Sequence, residues 1–184
     1  MSVAGTDEAG RGPLAGPVVA AAVVLPPHVT PEWLAGCDDS KRVDARRREA
    51  LVPRIQEVAL AWMVAEVSVA EIDAINIAQA SFEAMRRAVA GLSTRPEHVL
   101  VDGLPNPRLN CPQTALVGGD GLSLSIAAAS ILAKVHRDAQ MCLLDERYPG
   151  YGFSAHKGYP TAAHRQAIAR LGPCAAHRRS FRLT

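Results

Sequence analysis

The strongest constraint in this chain is the run Val18 to Leu25, eight consecutive apolar residues, seven of them valine or alanine. Eight residues fall far short of the roughly 20 that span a bilayer, so the run predicts a buried strand. Residues 2–7 read as a strand before it, and the two are joined by the glycine-rich turn Gly10-Arg11-Gly12-Pro13. The chain of 184 residues has room for a single domain spanning 1–184, and its 48% hydrophobic and 21% charged residues exclude disordered and collagen-like classes. No basic stretch precedes an apolar one at the N-terminus, so neither a membrane anchor nor a secretory signal is expected. The expectation is a cytoplasmic protein with reduced thiols, because Cys37, Cys111, Cys142 and Cys174 form no zinc-ligand spacing.

Periodicity fills in the rest. A helix is predicted over 44–57 with Asp44 as N-cap, although Pro53 requires a kink or an early end there. A strand over 59–67 leads into Ser68-Val69-Ala70-Glu71, a capping-box pattern, and one helix from there to about residue 90. Strands are predicted at 98–103 and 114–118. A long helix over 123–146 follows, whose early alanines imply close backbone packing, and Pro160 opens a last helix to about residue 171. Strands alternating with helices indicate a mixed sheet covered by helices, an α/β domain.

Four acids stand where chemistry gathers. Asp7 and Glu8 end the first strand, Asp102 ends the fourth, and Asp120 precedes the long helix. Alternation sends adjacent Asp7 and Glu8 to opposite faces, so both serve one site only if the strand stops there, which Gly10 and Gly12 suggest. Carboxylates crowded together repel and drive one another toward protonation, and a divalent cation removes the conflict. Oxygen ligands select Mg²⁺ or Mn²⁺, two of which about 4 Å apart would clamp a phosphoryl displacement. Asp102-Gly103 and Asp120-Gly121 are also ordinary turn pairs, and each acid alone could serve a turn.

Charge adds a second hint. Residues 147–184 carry seven basic residues and no acidic one, leaving thirteen basic against eighteen acidic before them. Such a tail suits a polyanionic partner, although a solvated basic tail would look the same. Lys41, Arg42, Arg46, Arg47 and Arg48 cluster near Asp44; phosphate contact is expected of Lys41 and Arg42, since the other three spread around the helix. His164 reads as a helix-surface residue and Arg137-Asp138 as an ion pair.

At this point the sequence resembles type 2 ribonuclease H, the ribonuclease HII family. The matching segments are Gly5 to Val18, Asp39-Ser40-Lys41, Val101-Asp102-Gly103, Gly119-Asp120, Ser125 to Val135 with Arg137-Asp138, His156 to Thr161, and His177-Arg178-Arg179-Ser180-Phe181. The resemblance implies a ribonuclease H-like fold, with a mixed five-stranded sheet flanked by helices and a basic C-terminal helical extension over 147–184. It implies a metal-dependent endonuclease that hydrolyses the RNA strand of RNA/DNA hybrids and incises at single ribonucleotides in duplex DNA, leaving 3′-hydroxyl and 5′-phosphate ends. Asp7, Glu8, Asp102 and Asp120 are then catalytic metal ligands. Gly10, Arg11 and Gly12 read the 2′-hydroxyl through the main chain, and Tyr159 stacks on the adjoining deoxyribose, with Lys41 and Arg42 on the phosphates. Tyr159 could equally pack the start of the last helix. The protein would act as a monomer in ribonucleotide removal. The family's Lys-Gly-Asp is Gly118-Gly119-Asp120 here, so one positive charge is missing. The competing reading, a non-catalytic nucleic-acid-binding module of the same fold, predicts loss of at least one acid, and none is lost.

Overall fold

The computed structural model describes residues 2–27 and 44–183. Five strands, β1 (Val3–Ala9), β2 (Val18–Val24), β3 (Ala61–Val67), β4 (His98–Asp102) and β5 (Gln113–Leu116), form one sheet in the order β3-β2-β1-β4-β5. β1 and β3 run antiparallel to β2, whereas β4 runs parallel to β1 and to β5. β2, next to the central β1, is buried along its whole length, and its period of two divides the core. Val18, Ala20, Ala22 and Val24 pack with Ala80, Ala84 and Ala88 on one face. Val19, Ala21 and Val23 pack on the other with Leu51, Ile55, Ala128, Ile131 and Leu132. Apolar residues at both parities are what a strand covered on both faces requires.

The helices are α1 (Ala45–Val58), α2 (Val69–Ile75), α3 (Ile77–Ala90), α4 (Leu124–Arg147), α5 (Phe153–His156) and α6 (Ala162–Leu171). Asp44 caps α1 by accepting from the Arg47 amide at 2.9 Å, and Ser68 with Glu71 completes the capping box of α2. Three expectations are corrected. Of the kink or early end expected at Pro53, the early end is overturned: α1 runs on to Val58, with Leu51 and Ile55 on either side of the proline buried against the sheet. The single helix expected over 68–90 is broken at Asn76, whose φ of 67° is left-handed and whose side chain caps α3 through the Gln79 amide at 3.1 Å. The last helix begins after Pro160, with Thr161 as N-cap, and the short α5 before it carries no long-range periodicity to betray it.

The start of α4 lies directly on β1. A β-carbon placed on Gly5 would stand 2.3 Å from both the Ser125 carbonyl carbon and the Ile126 nitrogen. Residues beyond α4 fold back on the turn after β1: Gly16 N–H donates to Ala176 at 2.8 Å, Arg178 N–H to Leu14 at 2.8 Å, and Leu14 N–H to Gly158 at 2.8 Å. Met141, Phe153, Ile168 and Tyr151 form the small core beneath this junction.

Candidate active site

Parallel pairing of β1 with β4 sets the site. Thr6 pairs with Val101, so Asp7 and Asp102 follow side by side, Asp102 as the last residue of β4 and Asp7 two residues before the end of β1. Asp7 is buried and its pKa lies well above the usual carboxylate range, through burial first and then repulsion from Glu8, with Asp102 adding to it. The Ser130 hydroxyl on α4 offsets part of this by hydrogen bonding to Asp7. Glu8 is also raised, by burial, against the opposing pull of Arg11, and Asp102 again adds repulsion. The predicted crowding of Asp7, Glu8 and Asp102 is therefore present.

The expected strand end is not. β1 runs on through Glu8 to Ala9, yet Glu8 still lies near enough to Asp7 and Asp102 for mutual repulsion, so a strand end is not what brings the acids together. Asp7 accepts a 2.6 Å hydrogen bond from the Glu8 amide, and Glu8 meets Arg11 Nη1 at 3.2 Å. Asp102 accepts from the Gly119 amide at 2.7 Å, which ties the 3-10 turn Gly119–Gly121 to the end of β4. Asp120 sits on that turn, half-buried, accepting from the Gly121 amide at 3.1 Å. Gly118, where the resemblance implies a lysine, is left-handed at φ 67°, and among the described residues no atom beyond its chain neighbours lies within 4 Å of where its β-carbon would stand.

An all-carboxylate donor set whose buried member resists ionisation suits a hard divalent cation. As the side chains stand, no three His, Cys, Asp or Glu among the described residues form a group that could hold a metal ion, so binding one would draw carboxylates inward. A cavity lined by Arg86, Leu92, Arg95, Arg108 and Cys111 is remote from this chemistry, at the opposite end of β4 from Asp102.

The turn after β1 borders the acids. Arg11 and Gly12 are exposed, and the Tyr159 ring lies 3.6 Å from the place a Gly12 β-carbon would occupy. Tyr159 is 43% exposed, which argues against its being only the packing residue of α6. Lys41 and Arg42 lie outside the described residues.

Other expectations about the C-terminal segment are overturned. His164 is fully buried: its ring stacks on His156 at 4.3 Å between centroids, bonds the Tyr159 carbonyl through Nδ1 at 2.9 Å, and meets His177 Nε2 at 3.1 Å. Asp138 pairs with Lys134 at 2.6 Å, whereas Arg137 turns inward to main-chain carbonyls. Sequence reasoning missed Ser130; the only signal was one hydroxyl in an Ala/Ile/Leu stretch of helix.

The fold defines the class. Ribonuclease H2 from Pyrococcus horikoshii matches over 100% of this chain and 95% of its own, with a TM-score of 0.81 at 28% identity, so this is an α/β protein of ribonuclease H type. Ribonuclease HII of Moorella thermoacetica is 59% identical over 180 residues, 98% of this chain and 86% of its own. That of Acinetobacter baylyi is 57% identical over 182 residues, covering 97% and 94%. The ribonuclease HII family profile matches residues 4–184, and the chain belongs to that family. It is an endoribonuclease acting on RNA/DNA hybrids, from a family of divalent-metal-dependent nucleases. No helix among the described residues is long and apolar enough to cross a membrane.

Proposed function

We propose that the chain incises duplex DNA at single embedded ribonucleotides as well as cutting longer hybrids, with Asp7, Glu8, Asp102 and Asp120 as its catalytic acids and the ligands of Mg²⁺ or Mn²⁺. The observation that carries this reading is Asp7, a carboxylate buried beside Asp102, its pKa raised by that burial and by the charges of Glu8 and Asp102, in a place where burial alone would favour an apolar side chain. When bound, two such ions supply charge neutralisation, an activated water and stabilisation of the departing 3′-oxygen. The protein's own groups do the rest. Ser130 and the Glu8 amide orient Asp7, the Gly119 amide orients Asp102, and Arg11 holds Glu8. Products carry 3′-hydroxyl and 5′-phosphate ends.

Substrate selection falls to the turn and to Tyr159. Main-chain groups of Gly10, Arg11 and Gly12 meet the 2′-hydroxyl, the one group that marks RNA at that position, while the exposed Tyr159 ring beside Gly12 stacks on the next sugar. Lys41 and Arg42 hold phosphates in this reading, and residues 1–184 act as one catalytic domain with 147–184 as its extension. A monomer suffices, since every proposed group comes from one chain. Cys111, Cys142 and Cys174 are free thiols, as suits the cytoplasm. The test is cleavage of a duplex carrying one ribonucleotide against its all-DNA counterpart, with Mg²⁺ and with EDTA. Cutting of the all-DNA duplex at an equal rate, or of either in EDTA, would refute the reading.

A further inference from the structure

Two guanidinium groups are buried in this protein without an ion pair among the described residues: Arg137 is 1% exposed and Arg178 is 0% exposed. Among the described residues, every oxygen they bond belongs to the main chain. Arg178 donates through Nε to Gly16 at 2.9 Å, through Nη1 to Arg11 at 3.1 Å, and through Nη2 to Gly10 at 2.6 Å and Pro17 at 3.2 Å. Arg137 donates to Pro17 at 3.1 Å, Ala15 at 3.1 Å and Lys157 at 3.0 Å. Five of these six carbonyls come from the turn after β1, and the sixth from the segment that carries Tyr159. Burying a cation that has no ion pair among the described residues is costly, which points to a role beyond packing.

Peptide geometry supplies one. In a trans peptide the C=O of one residue and the N–H of the next point in opposite directions, and the chain has no cis bonds among its described residues. Drawing the Gly10 and Arg11 carbonyls inward to Arg178 therefore aims the amides of Arg11 and Gly12 outward, at the exposed surface beside the Tyr159 ring. Gly10 itself is demanded from inside: at φ 98°, a β-carbon there would stand 2.1 Å from Arg137 Nε. We propose that Arg178, backed by Arg137, is a positioning residue for ribose recognition, whose fork aims the two amides at the sugar and fixes their distance from Tyr159. This rests on the reading that the turn and Tyr159 select the ribonucleotide.

Lysine keeps the charge at either position but cannot reproduce a planar fork on several carbonyls. With Mg²⁺ saturating and temperature well below each variant's melting transition, Arg178→Lys should lose about 100-fold in kcat/KM on a single embedded ribonucleotide, the penalty of a misplacement near 1 Å. The loss on a long RNA/DNA hybrid should be several times smaller, and the Mg²⁺ concentration for half-maximal rate should not move. Arg137→Lys should act in the same direction. Equal losses on both substrates, or none, would overturn the proposal. Gly12→Ala and Tyr159→Ala separate the two ideas: if they change the substrate ratio and Arg178→Lys does not, only the positioning role fails, and if none changes it, the recognition reading fails with it. Hydrogen exchange of the unaltered protein tests the coupling without any variant. The amides of Leu14 and Gly16 should open together with that of Arg178 as one unit, and independent fast exchange of the turn would also overturn the proposal.

Discussion

Replacing Gly5 by alanine should damage stability and activity together, although Gly5 is no candidate ligand. Its β-carbon would meet backbone atoms of Ser125 and Ile126 at 2.3 Å, while ordinary contact begins at 3.4 Å, so α4 must retreat from β1 by about 1 Å. No flexible side chain can absorb the difference, because the colliding atoms are main chain. Overpacking of this kind costs about 1–3 kcal/mol, and a rigid obstacle puts the cost at the upper end. For a domain of this size that is a fall in Tm of roughly 5–10 °C. The same shift carries Ser130 away from Asp7 and moves the turn bearing Asp120, so kcat should fall on the order of 100-fold. Calorimetry and single-turnover cleavage of a hybrid measure the two effects. Gly172→Ala is the control: φ there is 74° with ψ 170° and its β-carbon would meet nothing within 4 Å among the described residues, so only backbone strain of about 1–3 kcal/mol should appear, with activity intact. Unchanged melting and turnover in Gly5→Ala would show that α4 slides freely on β1 and refute the packing argument.

Asp7→Asn should abolish cleavage yet raise Tm at neutral pH in the absence of metal. The folded-state pKa of Asp7 lies above its unfolded value, so the folded state holds the extra proton between them and stability falls as pH rises through that window; the variant lacks this slope. Mg²⁺ should stabilise the unaltered protein more than the variant, which differential scanning fluorimetry would detect. His177 titrates the other way. Burial, and then the proximity of His164, lowers its pKa from 6.5 to about 4, so the unfolded chain binds the extra proton and stability is lost as pH falls from 6.5 toward 4. The full window is worth about 3 kcal/mol, and urea unfolding of His177→Gln should show a flatter pH profile over it. Tyr159→Ala should lose about 10- to 100-fold on a single embedded ribonucleotide, in keeping with roughly 1–3 kcal/mol for a stacking contact, with a smaller loss on long hybrids. Its exposed ring should leave Tm nearly unchanged, and a large fall in Tm with equal losses on both substrates would return Tyr159 to a packing role.

Much of this architecture is legible in short-range pattern. The apolar run at Val18, the Asp44 cap, the Ser68-Glu71 box and the alanine-rich start of α4 each act within a few residues, and each is found where the pattern puts it. Asn76 is the instructive failure among the helices. Apolar spacing continues across it, and only its left-handed backbone, supported by a side-chain cap, divides α2 from α3.

The sequence by itself determined that carboxylates would stand at strand ends near a glycine turn, because strand period and turn chemistry are local properties. Their assembly is tertiary. Register between β1 and β4, whose paired residues lie 95 positions apart in the chain, puts Asp7 beside Asp102, and Glu8 interacts with both although β1 continues through Ala9. Burial of His164 and the inward turn of Arg137 and Arg178 were equally out of reach of spacing. A histidine or arginine reads as a surface residue unless its partners are known, and the partners here are three other rings and main-chain carbonyls, which every residue possesses and which only the folded chain brings within about 3 Å of a guanidinium.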